Sequence, residues 1–418
     1  MVLTTSMGIG LFMTIMTIYY YMSNDPIPQK SDVLYRILLD AGNPDTVDDS
    51  DQSIPRQITY IDATNLMAEQ PDAKQAVMYG VTGVVNPDSP TLKPMEVPGR
   101  ATTFQFFDLF DVPFDYGAPW DRSADESALP VVVISKSLNE RIFGGTDSIG
   151  RSIELSAVRF QIVGVLQDWS MLPKAYDLNT GPFDPPAELF IPFSKAVEME
   201  LPRRGNTNCW KPVPTIEYRD FLNSECVWIQ AWVELQTAEA YDLYSNFLTG
   251  YIEEQKLLGR FERPNRSRLY PLTDWLVFRE AVPPIVFALL ASSFMFLLVC
   301  QCNTLSLLMA KLLSNAREIG IRRALGASRT AVFFQIGVEA FVIGVLGSVL
   351  GLLFTLGGLE AMTYLLRDEE NIEQFFRLDT PLILIGVATA IVSTLIVALY
   401  PMFRASYIAV ASQLRASI

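Results

Sequence analysis

The side chains able to do chemistry in this chain are acids, cysteines and one block of arginines, and each limits what the protein can be. Asp108, Asp111 and Asp115 crowd the stretch FFDLFDVPFDYG, yet their spacing does not match a calcium-binding loop, so a solvated acidic face is expected there. GGTDSIG at Gly144 to Gly150 could cradle an anion but reads better as a turn joining a helix to a strand. The sequence has no histidine. That removes Ser-His-Asp and Cys-His nucleophiles and every His-based zinc site. It also has no GxxxxGK[ST] phosphate loop, so these residues do not form a P-loop ATPase. No catalytic residue, cofactor site or metal site is expected.

The cysteines form two pairs. Cys209 and Cys226, 17 positions apart, could close a disulfide in an oxidising compartment or pack as two free thiols. Cys300 and Cys302 lie in an apolar run, do not face each other on a helix, and read as small apolar residues.

The most informative segment is KLLSNAREIGIRRALGASR, Lys311 to Arg329, which holds five basic residues and one acid, Glu318, between two long apolar runs. Short loops rich in Lys and Arg stay in the cytoplasm, because translocating them is disfavoured. Within it, Leu312, Ala316 and Ile319 share a face and Glu318 can pair with Arg322 at i, i+4. Gly326 suits a left-handed helix end, and Ser328 can cap the next helix. A short amphipathic helix over 311–327 follows, with Arg322, Arg323 and the flanking apolar face as a docking surface.

Four apolar segments are long enough to cross a bilayer, which takes about 20 helical residues. They are 1–23, 282–310, 331–362 and 381–403. The first has no basic start and no cleavage-site pattern before SNDPIPQKSD, so it reads as a retained anchor, with Tyr19, Tyr20 and Tyr21 at the outer interface. RDEENIEQFFRLD, between the last two segments, carries five acids and two arginines, consistent with an outer position. The N-terminus is thus inside, a large domain outside, the 311–329 loop inside, and the C-terminal tail inside.

Half of the residues are apolar and mean hydropathy is +0.24, as expected of a membrane protein with a large soluble part. Residues 24–281 carry 23 Lys and Arg against 38 Asp and Glu, a balance of −15, which argues against a nucleic-acid partner. This part reads as an α+β domain of two subdomains. Strands are expected at LPVVVIS, RSIELS, RFQIVGVLQDW and CVWIQAWVEL, and helices at KSLNERIF and AEAYDLYSNFLTGYIEEQKLL. PKAYDLNTGPFDPPAELFIP and LPRRGNTNCWKPVP read as surface loops.

In the third apolar segment Gly337, Gly344, Gly347 and Gly351 fall on one stripe, which lets helices approach closely. Glu339, two turns into the same segment, is costly unless paired or near the interface.

NAREIGIRRALGASRTAVFFQIGVEAFVIGVLGSVLG resembles the signature of FtsX-like permeases, the membrane subunits of MacB-type ABC transporters. The closing YPMFRASYIAVASQLR is similar to that family's ending, with Pro401, Arg404, Ala405, Leu414 and Arg415 at matching places. TTFQFFDLFDVPF, LPVVVISKSLNERIFGGTDSIGRSIEL, FQIVGVLQDW and ELFIPFS resemble the MacB-like periplasmic core. The resemblance implies an α-helical membrane protein with four transmembrane helices and a large α+β periplasmic domain inserted between helices 1 and 2. It implies a multi-pass inner-membrane location and contact with membrane lipid. Its partners would be a separate ABC ATPase dimer, a second permease copy or paralogue, and an adaptor with an outer-membrane channel. Arg317, Glu318, Gly320, Arg322, Arg323, Gly326 and Ala327 match the family's ATPase-coupling segment.

The sequence departs from the family in two places. It carries no fused ATPase and no basic amphipathic segment before the first helix; either the start lies further upstream or the protein does without that segment. Export of a substrate is the first functional expectation. A lipoprotein-releasing or signalling subunit of the same fold is the second, and a membrane-anchored periplasmic enzyme or adhesin the third.

Overall fold

The computed structural model describes residues 1–46, 50–70, 72–87, 92–365 and 379–407. It divides into two units: Asn24–Ala281, and Met1–Ser23 together with Val282–Ile418.

The second unit is helical: α1 (Val2–Ser23) belongs to it, and its other helices follow residue 281 in the chain. The first unit begins with β1 (Leu34–Leu39), β2 (Ile58–Thr59), α2 (Tyr60–Glu69), β3 (Gln75–Asn86) and β4 (Met95–Thr102). It continues through α3 (Phe106–Leu109), β5 (Phe114–Gly117), α4 (Arg122–Glu126), β6 (Val131–Ile134) and α5 (Lys136–Phe143). Next come β7 (Ser152–Leu155), β8 (Val158–Leu166), β9 (Leu189–Pro192), α6 (Phe193–Glu198), β10 (Arg203–Arg204) and β11 (Asn208–Cys209). It ends with α7 (Tyr218–Leu222), β12 (Cys226–Glu234), α8 (Ala238–Leu257), β13 (Ser267–Pro271) and α9 (Leu272–Phe278).

The strands join in one mixed sheet ordered β13-β1-β12-β3-β4-β9-β6-β8-β5, with the β4–β9 and β6–β8 pairs parallel. Alternation along each strand feeds two cores, one per face. From β3, Val77, Tyr79 and Val81 enter one core, and Ala76 and Met78 the other. β12 lies between β1 and β3 and is buried along its whole length. A strand presents two faces. Both are covered, because Trp232 points into an aromatic core with Phe106, Phe110 and Trp275 while Trp228 fills the opposite one.

Local signals place the helices. Ser135 accepts a hydrogen bond from the Leu138 amide at the start of α5, and Gly144 closes that helix at φ +69°. Thr237 caps α8 in the same way. GGTDSIG is the turn between α5 and β7, pinned by a 2.7 Å hydrogen bond from Ser148 Oγ to Asn139 Oδ1. The FFDLFD acids form surface ion pairs: Asp108 with Lys74 at 3.0 Å and Asp111 with Lys30 at 2.6 Å. PKAYDLNTG is not the surface loop its prolines suggest. Lys174, Ala175, Tyr176 and Asp177 are buried, with Asp177 ion-paired to Arg100 of β4. Among the described residues no acid other than Asp177 pairs with Arg100.

In the helical unit α1 is joined by α10 (Pro284–Ser314), α11 (Ala316–Ala324), α12 (Arg329–Leu365) and α13 (Thr380–Ser406). Four of these, all but α11, are long and apolar enough to cross a membrane. Gly347 and Gly351 of α12 meet α1 so closely that an added Cβ would lie 3.0 Å from Thr5 Cγ2 and 2.9 Å from Ile9 Cγ2. Gly337 and Gly344 face α13, with Met402 Cε at 2.8 Å and Ile391 Cα at 3.2 Å from such an atom. The stripe therefore splits between two neighbours within one chain. Hydroxyls and amides add polar links: Thr5 to Thr304 at 3.1 Å, and Gln301 Nε2 to Ser393 Oγ at 2.9 Å.

Candidate functional site

The expected 311–327 helix divides in two. Residues 311–314 continue α10, since nothing in AKLLS interrupts the helical hydrogen bonds, and the chain breaks at Asn315 before α11 begins. α11 ends at Ala324, Leu325 follows as its C-cap, and the turn passes through Gly326 at φ +104°, a conformation that L side chains rarely adopt. Ser328 Oγ then accepts the Ala331 amide at 3.1 Å, starting α12.

Ala316, Gly320 and the neighbouring Leu312 are buried, and Leu312 packs with Val332, Ala405 and the partly buried Ile319. The apolar face expected to dock a partner thus points into the protein's own helices. What remains outward is mixed. Arg317, Glu318 and Arg322 are exposed beside Ile321 and Leu325, the latter 84% exposed; Arg323 and Ala327 are half-buried and Gly326 is exposed. Periodicity alone could have shown this second face, because Ile321 and Leu325 are spaced i, i+4.

Charged contacts fix the helix against α12. Arg322 Nη2 pairs with Glu318 Oε1 at 2.5 Å, and its Nη1 reaches Gln335 Oε1 at 3.4 Å. Lys311 pairs with Glu339, so this acid of α12 is neutralised from the end of α10. Neither the Gln335 nor the Lys311 contact is legible in local sequence, because each joins different helices. At the far end, Arg329 lies over the Tyr407 ring at 5.0 Å; Leu414 and Arg415 lie outside the described residues.

Cys209 and Cys226 sit opposite each other on β11 and β12, with Cα atoms 4.2 Å apart, and are joined by a disulfide. Closing a loop of this size removes unfolded-state entropy worth about 3 kcal/mol. Protein isolated without reductant is expected to yield a Cys209–Cys226 linked peptide by mass spectrometry, with Cys300 alkylatable after unfolding. Free thiols at both 209 and 226 would refute the bridge.

The family comparisons agree along the chain. A model of the MacB-like periplasmic core domain matches residues 1–241, and one of the FtsX-like permease C-terminal region matches 290–410. The ABC transporter permease YvrN of Bacillus subtilis is 24% identical over 262 residues, covering 62% of this chain and 56% of that protein. The pyoverdine export ATP-binding/permease protein PvdT of Pseudomonas savastanoi is 26% identical over 314 residues, covering 72% of this chain and 41% of its own. The periplasmic region of MacB from Actinobacillus actinomycetemcomitans aligns at 14% identity and a TM-score of 0.37, over 59% of this chain and 92% of that one. The chain spans about half, or less, of the length of these curated relatives. With the periplasmic-core model matching more than half of its residues and the permease model most of the remainder, the chain belongs to the FtsX-like ABC transporter permeases that carry a MacB-like periplasmic core domain.

Proposed function

We propose that this chain is the membrane subunit of an inner-membrane ABC transporter that converts ATP hydrolysis by a docked ATPase into motion of the Asn24–Ala281 unit, driving export of a substrate. In this scheme α1 and α10 carry the unit on the outer side between them, α11 faces the cytoplasm, and two permease copies or paralogues meet a dimer of ATPase subunits. An adaptor and an outer-membrane channel would complete the export path.

The observation that carries the proposal is the outward surface of α11. Three exposed charged groups, Arg317, Glu318 and Arg322, flank the exposed Ile321 and Leu325; the Arg322–Gln335 hydrogen bond ties α11 to α12, and the Lys311–Glu339 pair ties the end of α10 to α12. An apolar centre with charged neighbours is how a protein interface is built. These 418 residues contain no phosphate loop, so the hydrolytic site is assigned to another polypeptide or segment.

Purified alone in detergent, this chain is expected to hydrolyse no ATP. Adding the cognate ATPase should yield a stable complex whose hydrolysis rate exceeds that of the ATPase by itself. Hydrolysis by the isolated chain, or failure of any ATPase to co-purify from native membranes, would reject the proposal.

A further inference from the structure

A polar cleft of about 500 Å³ in the Asn24–Ala281 unit is lined by Arg56, Arg263, Arg279, Asn179, Asn208 and Trp210, among others. Arg263 is committed, pairing with Asp40 at 2.7 Å. Arg56 and Arg279 are not: among the described residues neither makes an ion pair. Arg56 Nη2 donates to Gln52 Oε1 at 2.8 Å, and Arg279 Nη1 to Asn179 Oδ1 at 2.6 Å, both neutral acceptors.

A third guanidinium stands behind them. Arg36, 1% exposed, donates from Nη2 to the Arg56 carbonyl at 2.8 Å, while its Nε and Nη1 have no hydrogen-bond partner among the described residues. The guanidinium carbons of Arg36 and Arg279 both lie 5.3 Å from the centroid of the Trp275 ring. Three cations are thus drawn together in a unit whose acids outnumber its bases by 15. Among the described residues the carboxylate that attracts both Arg36 and Arg279 is Asp177, and it is already engaged by Arg100, by Thr180 Oγ1 at 2.7 Å and by Gln230 Nε2 at 3.2 Å. Burial pushes the Arg279 guanidinium down to about 10, and repulsion from Arg56 adds to the fall. Such a cluster is electrostatically unfavourable when empty, and an incoming anion would relieve it.

We infer that this cleft binds an oxyanion, a phosphate ester held by Arg56 and Arg279, with Asn179 and Asn208 as amide partners for its hydroxyl groups. Guanidinium groups suit this role because their fork of donors matches phosphate oxygens in pairs. Arg279 stands five residues before Pro284, the first residue of α10, so an anionic lipid headgroup is one source of the phosphate and a soluble phosphate ester the other. The inference does not depend on coupling to an ATPase.

The test uses the full chain in detergent, titrated calorimetrically with glycerol 3-phosphate and, as a neutral control, glycerol. In parallel the chain is placed in nanodiscs of phosphatidylglycerol or phosphatidylcholine and its thermal midpoint read. Saturable binding of glycerol 3-phosphate identifies a soluble ligand, and stabilisation by phosphatidylglycerol alone identifies a headgroup; either supports the site. Arg56→Gln with Arg279→Gln should weaken that response about 100-fold, as each charge-assisted contact contributes on the order of tenfold or more. The same double variant should keep or raise the thermal midpoint of the ligand-free protein, because it removes repulsion rather than a pair. Arg159→Gln, an exposed arginine on β8, should change neither reading. No response to either probe, or a response that survives in the double variant, overturns the inference.

Discussion

Replacing Arg322 and Arg323 of α11 together by Glu is expected to abolish stimulation of the ATPase and to remove the ATPase from the purified complex. The exposed Arg322 lies beside Ile321 and Leu325 at the centre of the proposed contact, and Arg323 is half-buried next to it. Reversing charge at a desolvated contact costs about 2–5 kcal/mol, roughly a 30-fold or greater loss of affinity. The change also makes the i, i+4 contact with Glu318 repulsive, which loosens α11 by a few tenths of a kcal/mol. That local effect is small beside the loss at the interface. Expression and the Cys209–Cys226 bridge should persist, since both cysteines belong to the other unit. Gly326→Val should act by another route. A branched residue at φ +104° is strained by about 1–3 kcal/mol, so the turn between α11 and α12 re-forms with a different aim. Subunit co-purification is then retained in part while stimulation falls. If the double charge reversal keeps full stimulation and full co-purification, α11 has no coupling role.

The largest stability effect is expected at Asp177. Its carboxylate is fully buried and is shared by Thr180 of its own segment and by Arg100 and Gln230, which pin that segment onto β4 and β12. Burial by itself would raise this carboxyl, but Arg100, then Lys174, outweigh it and hold the group below the usual carboxylate range. Asp177→Ala leaves Arg100 and Lys174 buried without their counter-ion, a change that costs about 3–5 kcal/mol. In urea unfolding followed by tryptophan fluorescence, the midpoint of the periplasmic transition should fall accordingly. Adding Arg100→Met should cost less than the two single changes summed, because the cation stranded by the first is then gone. The pH dependence follows from the direction of the shift. A carboxyl depressed in the folded state contributes its stability above the unfolded value, about pH 4, and loses it as pH falls through the lower folded value. Wild-type protein should therefore lose stability below about pH 4 by a component that Asp177→Asn lacks. Equal acid sensitivity in both proteins would exclude the pair as its source.

What could be read from the chain was decided by neighbours in sequence. Apolar runs longer than a bilayer core, Ser328 before the third of them and Gly326 in a turn each express an interaction that spans at most a few residues. The basic block of α11 and the glycine stripe of α12 belong to the same class, and so does the family signature they carry. Which way those features point was decided elsewhere. Leu312, Ala316 and Ile319 looked available for a partner, yet Ala316 is buried and Val332 and Ala405 of the neighbouring membrane helices pack against Leu312 and Ile319. Lys311 meets Glu339 across 28 residues, Arg100 meets Asp177 across 77, and Arg36 reaches the indole of Trp275 from the other end of their unit. No periodicity encodes such meetings, since a charge carries no record of its partner's position. Sequence alone thus determined the membrane spans, the caps and turns, and the residue types available at the surface. The tertiary packing decided which charges are neutralised, which apolar faces are spent internally, and which guanidinium groups remain facing an open cleft, because desolvation and pairing depend on what folding brings within a few ångströms.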